Sequence, residues 1–215
     1  MTKTKLNSSI VSLVALSVFP LNVNQSSLVA TYTICVDKQA SSSSGGGSFK
    51  TGHVFLRVTN ESNDDFVVGY HTLQPDETVT IGLFDGQDGI PQGVFYNREV
   101  YRFNKGSYPS PEHYIEQTYF INSLNEINAI SDVINEHNLD YNLLFYNCIS
   151  LVIDATNAIF DIDFGSIPFP TQMYNYLKEH LRATKNTFDP YQVSEFYQYP
   201  SGLTYVRSVY YGSDW

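Results

Sequence analysis

The sequence predicts an α+β fold: an antiparallel β-sheet built from the first half of the chain, with helices packed against it. Three observations predict it. Between Thr31 and Phe103, segments rich in β-branched and aromatic residues alternate with Gly, Asp and Pro turns. Beyond Ser123 the apolar residues change to helical spacing. A hydrophobic content of 42% over 215 residues is enough to bury one sizeable core.

The elements follow in order. Residues 1–30 carry Lys3 and Lys5, no acidic residue, and the apolar run Ile10–Phe19, which is too short to span a bilayer. That is the order of a secretory signal peptide. It predicts an exported protein, secreted or in the cell envelope, with a single domain over 31–215 and no membrane-spanning segment in the mature chain. The alternative is a buried first element. Thr31–Val36 reads as a strand. The run Ser41–Ser48 lacks side chains to pack and reads as a loop that leads into the next strand and borders the cleft. His53–Thr59 and Phe66–Thr72 flank the polar run Asn60–Asp65 and predict a β-hairpin. Thr78–Ile81 and Gly93–Phe103 continue the β pattern, and Tyr114–Ile121 is read as a strand from its Tyr, Ile, Thr and Phe content.

Ser123 and Glu126 form a capping box, and Leu124, Ile127, Ile130 and Ile134 fall at helical spacing up to about His137. Asn147 is a good N-cap for a helix from Cys148 to about Ile159, with Cys148, Val152, Ala155 and Ile159 on one face. A third helix spans Thr171–Arg182, and the tail from Tyr191 returns to β character.

Charge removes one class of partner. Twelve basic against twenty-two acidic residues give −10, with no Lys/Arg cluster to meet a phosphate backbone, so no nucleic-acid partner is expected. No cofactor motif is present.

The chemistry concentrates at Tyr146–Val152. A cysteine in the first turn of a helix lies near unpaired backbone N–H groups and the positive end of the helix dipole, which favour a thiolate. The same N–H groups can hold an oxyanion. A thiol nucleophile needs a base, and the base needs an orienting group. Of five histidines, His113 lies by a turn, His137 near a helix C-terminus and His180 on an exposed helix face, where structural or solvated roles suffice. His53 and His71 remain. A hairpin turn centred near Ser62 sets them directly opposite each other on one face, one imidazole orienting the other; a shift of one residue would separate them.

Gly52-His53-Val-Phe-Leu-Arg-Val on one strand, a polar residue on its partner, and then Tyr141-Asn-Leu-Leu-Phe-Tyr-Asn-Cys148 opening a helix resemble the circularly permuted papain-like thiol hydrolases. This is the NlpC-type group that includes lecithin-retinol acyltransferase-like proteins. The resemblance covers about Gly52–Ile159. It implies Cys148 as nucleophile, His53 as general base and His71 as the third polar member. By analogy the substrate is a peptide or isopeptide amide, such as one in a bacterial cell wall, attacked through a covalent acyl-enzyme and released to water or an amine.

Three other readings compete. A Cys35–Cys148 disulfide in an exported chain would abolish the thiolate. His53, His71 and Cys148 form a three-ligand zinc set, although no close-spaced ligand pair accompanies them. A catalytically inactive module of the same fold would bind wall polymer or protein through its tyrosines.

Overall fold

The computed structural model describes residues 28–38, 52–85, 92–99, 113–137 and 147–180, and the strands at 193–199 and 202–209. The apolar run Ile10–Phe19 that reads as part of a signal peptide, the Ser41–Ser48 run and Tyr141–Tyr146 lie outside the described residues. Nine strands and three helices are described: β1 (Ala30–Asp37), β2 (His53–Asn60), β3 (Phe66–Val68), β4 (His71–Leu73), β5 (Thr78–Phe84), β6 (Gly93–Tyr96), β7 (Tyr114–Ile121), α1 (Leu124–Glu136), α2 (Cys148–Asn157), α3 (Pro170–His180), β8 (Val193–Tyr199) and β9 (Gly202–Val209).

Seven strands form one sheet in the order β7-β1-β2-β5-β6-β8-β9, with every pairing antiparallel. The ladder is already formed at Ala30, which pairs with Asn60 and Ile121, so the described sheet begins one residue before the predicted 31–215 boundary. Strand alternation sends Tyr32, Ile34, Val54, Leu56, Val79 and Ile81 to the core shared with the helices. There they meet Ile130 and Ile134 of α1, Val152 and Ala155 of α2, and Met173 and Leu177 of α3. The opposite face is also buried toward the His53 end, by Cys35, Phe55, Phe84, Phe95 and Tyr114.

Two predicted features are corrected. The hairpin expected between the His53 and His71 strands does not form. Asn60 ends β2, and its side chain folds the polar run locally, accepting from Ser62 N–H at 2.9 Å and donating to Asp64 O at 2.9 Å and Leu73 O at 3.0 Å. The tight turn lies further on, at Gly69-Tyr70, where Gly69 takes a φ of +61° that glycine tolerates. β3 and β4 therefore make a separate two-stranded sheet with Val68 opposite His71, and the residue opposite His53 is Asp37 of β1.

The strand expected over Gly93–Phe103 stops at Tyr96. Asn97 adopts a left-handed φ of +62°, a conformation Asn reaches more readily than other side chains. Its N–H donates to Thr80 O at 2.8 Å and its Oδ1 accepts from Thr80 N–H at 3.1 Å, so both ladder bonds to β5 are kept while the backbone turns away. Arg98 and Glu99 follow in helical conformation, each 1% exposed.

The helices match their signals. Ser123 caps α1 with the reciprocal Glu126 bond. Asn147 caps α2, which starts at Cys148. β7 forms where Tyr114–Ile121 was read as a strand.

Candidate functional site

Cys148 is placed by its neighbour. Asn147 Oδ1 accepts from Ile149 N–H at 2.8 Å, and Asn147 N–H donates to Ser150 Oγ at 2.9 Å. This reciprocal cap fixes the first turn of α2. Asn147 Nδ2 also donates to Pro168 O at 3.3 Å, tying the turn to the segment that enters α3. The cap leaves Cys148 first in the helix and 5% exposed.

His53 opens β2 and is 7% exposed. Its ring stands 4.4 Å from the Phe84 ring and 6.1 Å from Phe55. The Cys148 sulfur is near enough to act on the charge of the ring. Glu99 is its charge partner: Nε2 lies 2.6 Å from Oε1, approached off the N–H axis, as in an ion pair rather than a straight hydrogen bond. Burial alone would drive the imidazole toward its neutral form. The Glu99 carboxylate and the Cys148 sulfur on the same ring outweigh that and push its pKa up to about 9. A buried histidine that feels both a thiol and a buried carboxylate has the partners that an acid–base group needs beside a nucleophile and an orienter.

His71 is not set against His53. It stacks on Tyr96 at 5.8 Å and its Nε2 lies 3.5 Å from Glu77 Oε1, within the β3–β4 region. The carboxylate at the His53 ring comes instead from Glu99, which the sequence reading passed over. It stood in the interior of an expected strand, and the one signal against that strand was Asn97 two residues earlier.

The other histidines differ in setting. His180 lies at the exposed end of α3, stacked on Tyr176. Of the structural and solvated roles open to His137, its burial fits the structural one. His137 is 8% exposed, and burial lowers its pKa despite Asp154 at 3.8 Å.

Both cysteines are free. Cys35 is wholly buried on the sheet face away from the helices, where its Sγ donates weakly to Glu116 Oε1 at 3.9 Å, and burial pushes its pKa far up. The competing zinc reading of His53, His71 and Cys148 is not supported by the structure. Among the described residues no group of three or more His, Cys, Asp or Glu is arranged to hold a metal ion. No described helix is long and apolar enough to cross a membrane.

Compared with models of known protein families, with curated proteins and with solved structures, the chain finds no match.

Proposed function

We propose that the protein is a thiol hydrolase or acyltransferase of the permuted papain-like kind, with Cys148 as nucleophile, His53 as acid–base group and Glu99 as the residue that orients and charges His53. The observation that carries this is a buried His53 ring with Glu99 Oε1 at 2.6 Å and with Cys148 among the groups that raise its pKa. The chain order, histidine strand before cysteine helix, agrees with the permuted branch.

His53 and Cys148 exchange one proton, leaving imidazolium beside thiolate. The sulfur attacks an amide or ester carbonyl carbon, forming the S–C bond and moving the C=O electron pair onto oxygen. In the first turn of α2, Ile149 and Ser150 N–H groups are engaged by the cap, to Asn147 Oδ1 and Asn147 O. The donor left for that oxyanion is the N–H of Cys148 itself. Collapse breaks the bond to the leaving amine or alcohol, which takes its proton from His53. Water or an acceptor amine, deprotonated by His53, then releases the acyl group from sulfur. The raised His53 pKa suits the acid half of this cycle, since the proton for the leaving group is on the ring at neutral pH.

The substrate class is a peptide or isopeptide amide, with a cell-wall amide fitting the export segment. Labelling the native, non-reduced protein with iodoacetamide and mapping the adduct tests the proposal. Adduct at Cys148 that disappears in His53→Ala supports it; no labelling of Cys148 in the native state sinks it.

A further inference from the structure

Gly82 sits in β5, a strand paired on one side with β2 and on the other with β6. The interior of a central strand is a poor place for glycine, which packs nothing and loses the most backbone freedom on ordering. Its φ lies outside the left-handed range, so the backbone conformation does not call for glycine. Space does. A Cβ at position 82 would stand 2.9 Å from Phe84 Cε2, 3.1 Å from His53 Nε2 and 3.3 Å from Glu99 Oε1. These three nearest atoms belong to the two partners of the ion pair and to the Phe84 ring, which lies tilted against His53 at 4.4 Å. None is backbone. The contrast is Gly52, where the atoms in the way are the backbone of Asp37 and Lys38.

We infer that Gly82 is a positioning residue for the His53–Glu99 pair: the side chain missing at 82 is the space in which carboxylate and imidazole close to 2.6 Å. A methyl group there must shift the Phe84 ring and crowds both Nε2 and Oε1, and any give by either of those two atoms loosens their contact. Of the titratable groups around the ring, Cys148 at the start of α2, Asp37 opposite on β1 and Glu99, only Glu99 contributes one of the three atoms nearest to that methyl. Gly82 matters for turnover only if the proposed role of His53 holds. Its effect on the pair is independent of any substrate.

The test titrates the His53 ring by NMR in the full chain for wild type, Gly82→Ala, Glu99→Gln and the double variant, and measures Cys148 alkylation by iodoacetamide against pH. Gly82→Ala should lower the His53 midpoint by about one pH unit or more, roughly tenfold in proton affinity. It should add little once Glu99→Gln has removed the charge, because both act on one contact. An unchanged midpoint in Gly82→Ala, or an equal drop with and without Glu99, overturns the inference. If Gly82→Ala does not fold, Gly82→Ala/Phe84→Leu, which relieves the closest contact, is read against Phe84→Leu with the same criteria. A shifted midpoint with Cys148 inert to alkylation in every variant leaves the Gly82 inference standing and defeats the thiol-enzyme proposal.

Discussion

His53 Nε2 and Glu99 Oε1 are 2.6 Å apart in a site where the two side chains are only 9% and 1% exposed. A carboxylate so buried is sustained by an opposite charge, and the imidazolium is the charge it meets. Glu99→Gln keeps the shape and removes the charge. The His53 pKa should fall from about 9, since burial then acts with less opposition, and kcat/KM on an amide substrate should drop on the order of 10²-fold. A pH–rate profile checks both: the basic limb should move to lower pH in Glu99→Gln. An unmoved limb would assign that limb to another group.

The same pair makes stability depend on pH with a definite sign. The folded-state pKa of His53 is above the ordinary imidazole value of 6.5, so the folded state holds its proton more tightly than the unfolded one. The resulting stabilisation is complete below about 6.5 and is lost as pH rises through about 9. A shift of this size corresponds to at most on the order of 3 kcal/mol. Urea denaturation at a series of pH values across that window should show the midpoint falling, and Glu99→Gln should flatten the fall.

The two cysteines should behave oppositely. Cys148 begins a helix beside His53, whereas Cys35 is wholly buried with its pKa pushed far up. Iodoacetamide should modify Cys148 in the native protein and Cys35 only after unfolding. Cys148→Ala should abolish turnover while the protein stays folded. Cys35→Ala should retain turnover and lose about 1 kcal/mol or more, depending on how far the core closes over the missing sulfur. Mass spectrometry of the labelled peptides and thermal melts separate the cases.

What was legible in the sequence was local. Ser123 with Glu126, and Asn147 before Cys148, announce helix starts because the capping hydrogen bonds are made within four residues. The role of Glu99 depends on where Asn97 bends the chain, for which a single Asn is a weak local signal, and on the space at Gly82, which has no local pattern. The register of His71 failed for a related reason. Two polar stretches, Asn60–Asp65 and Gly69-Tyr70, compete to be the hairpin turn, and the first was taken up by the Asn60 side chain.

Caps offer a controlled comparison. Removing an N-cap side chain costs about 1 kcal/mol, and α1 and α2 both carry one. Ser123→Ala and Asn147→Ala should lower the melting temperature by similar amounts. Only Asn147→Ala should also slow alkylation of Cys148 and reduce turnover, because Asn147 fixes the turn that carries the sulfur and ties it to Pro168. Equal activities in the two variants would separate the cap from the site.

A last prediction concerns the face of the sheet turned away from the helices. Glu116 is 3% exposed and accepts from Arg57 at 2.6 and 2.9 Å and from the Tyr114 hydroxyl at 2.6 Å. Arg57 on β2 and Glu116 on β7 lie on the two neighbours of β1, so this contact spans three strands. Its value resides in mutual compensation: each ion alone would face a desolvated environment. Arg57→Leu strands the carboxylate and should destabilise the fold by about 3 kcal/mol. Arg57→Leu/Glu116→Leu removes both charges and should recover most of that loss, leaving Tyr114 without its acceptor as the main residual cost. Denaturant titration of the single and double variants measures the coupling. Additive losses would mean that the two side chains stabilise the sheet by packing their stems and not by pairing their charges.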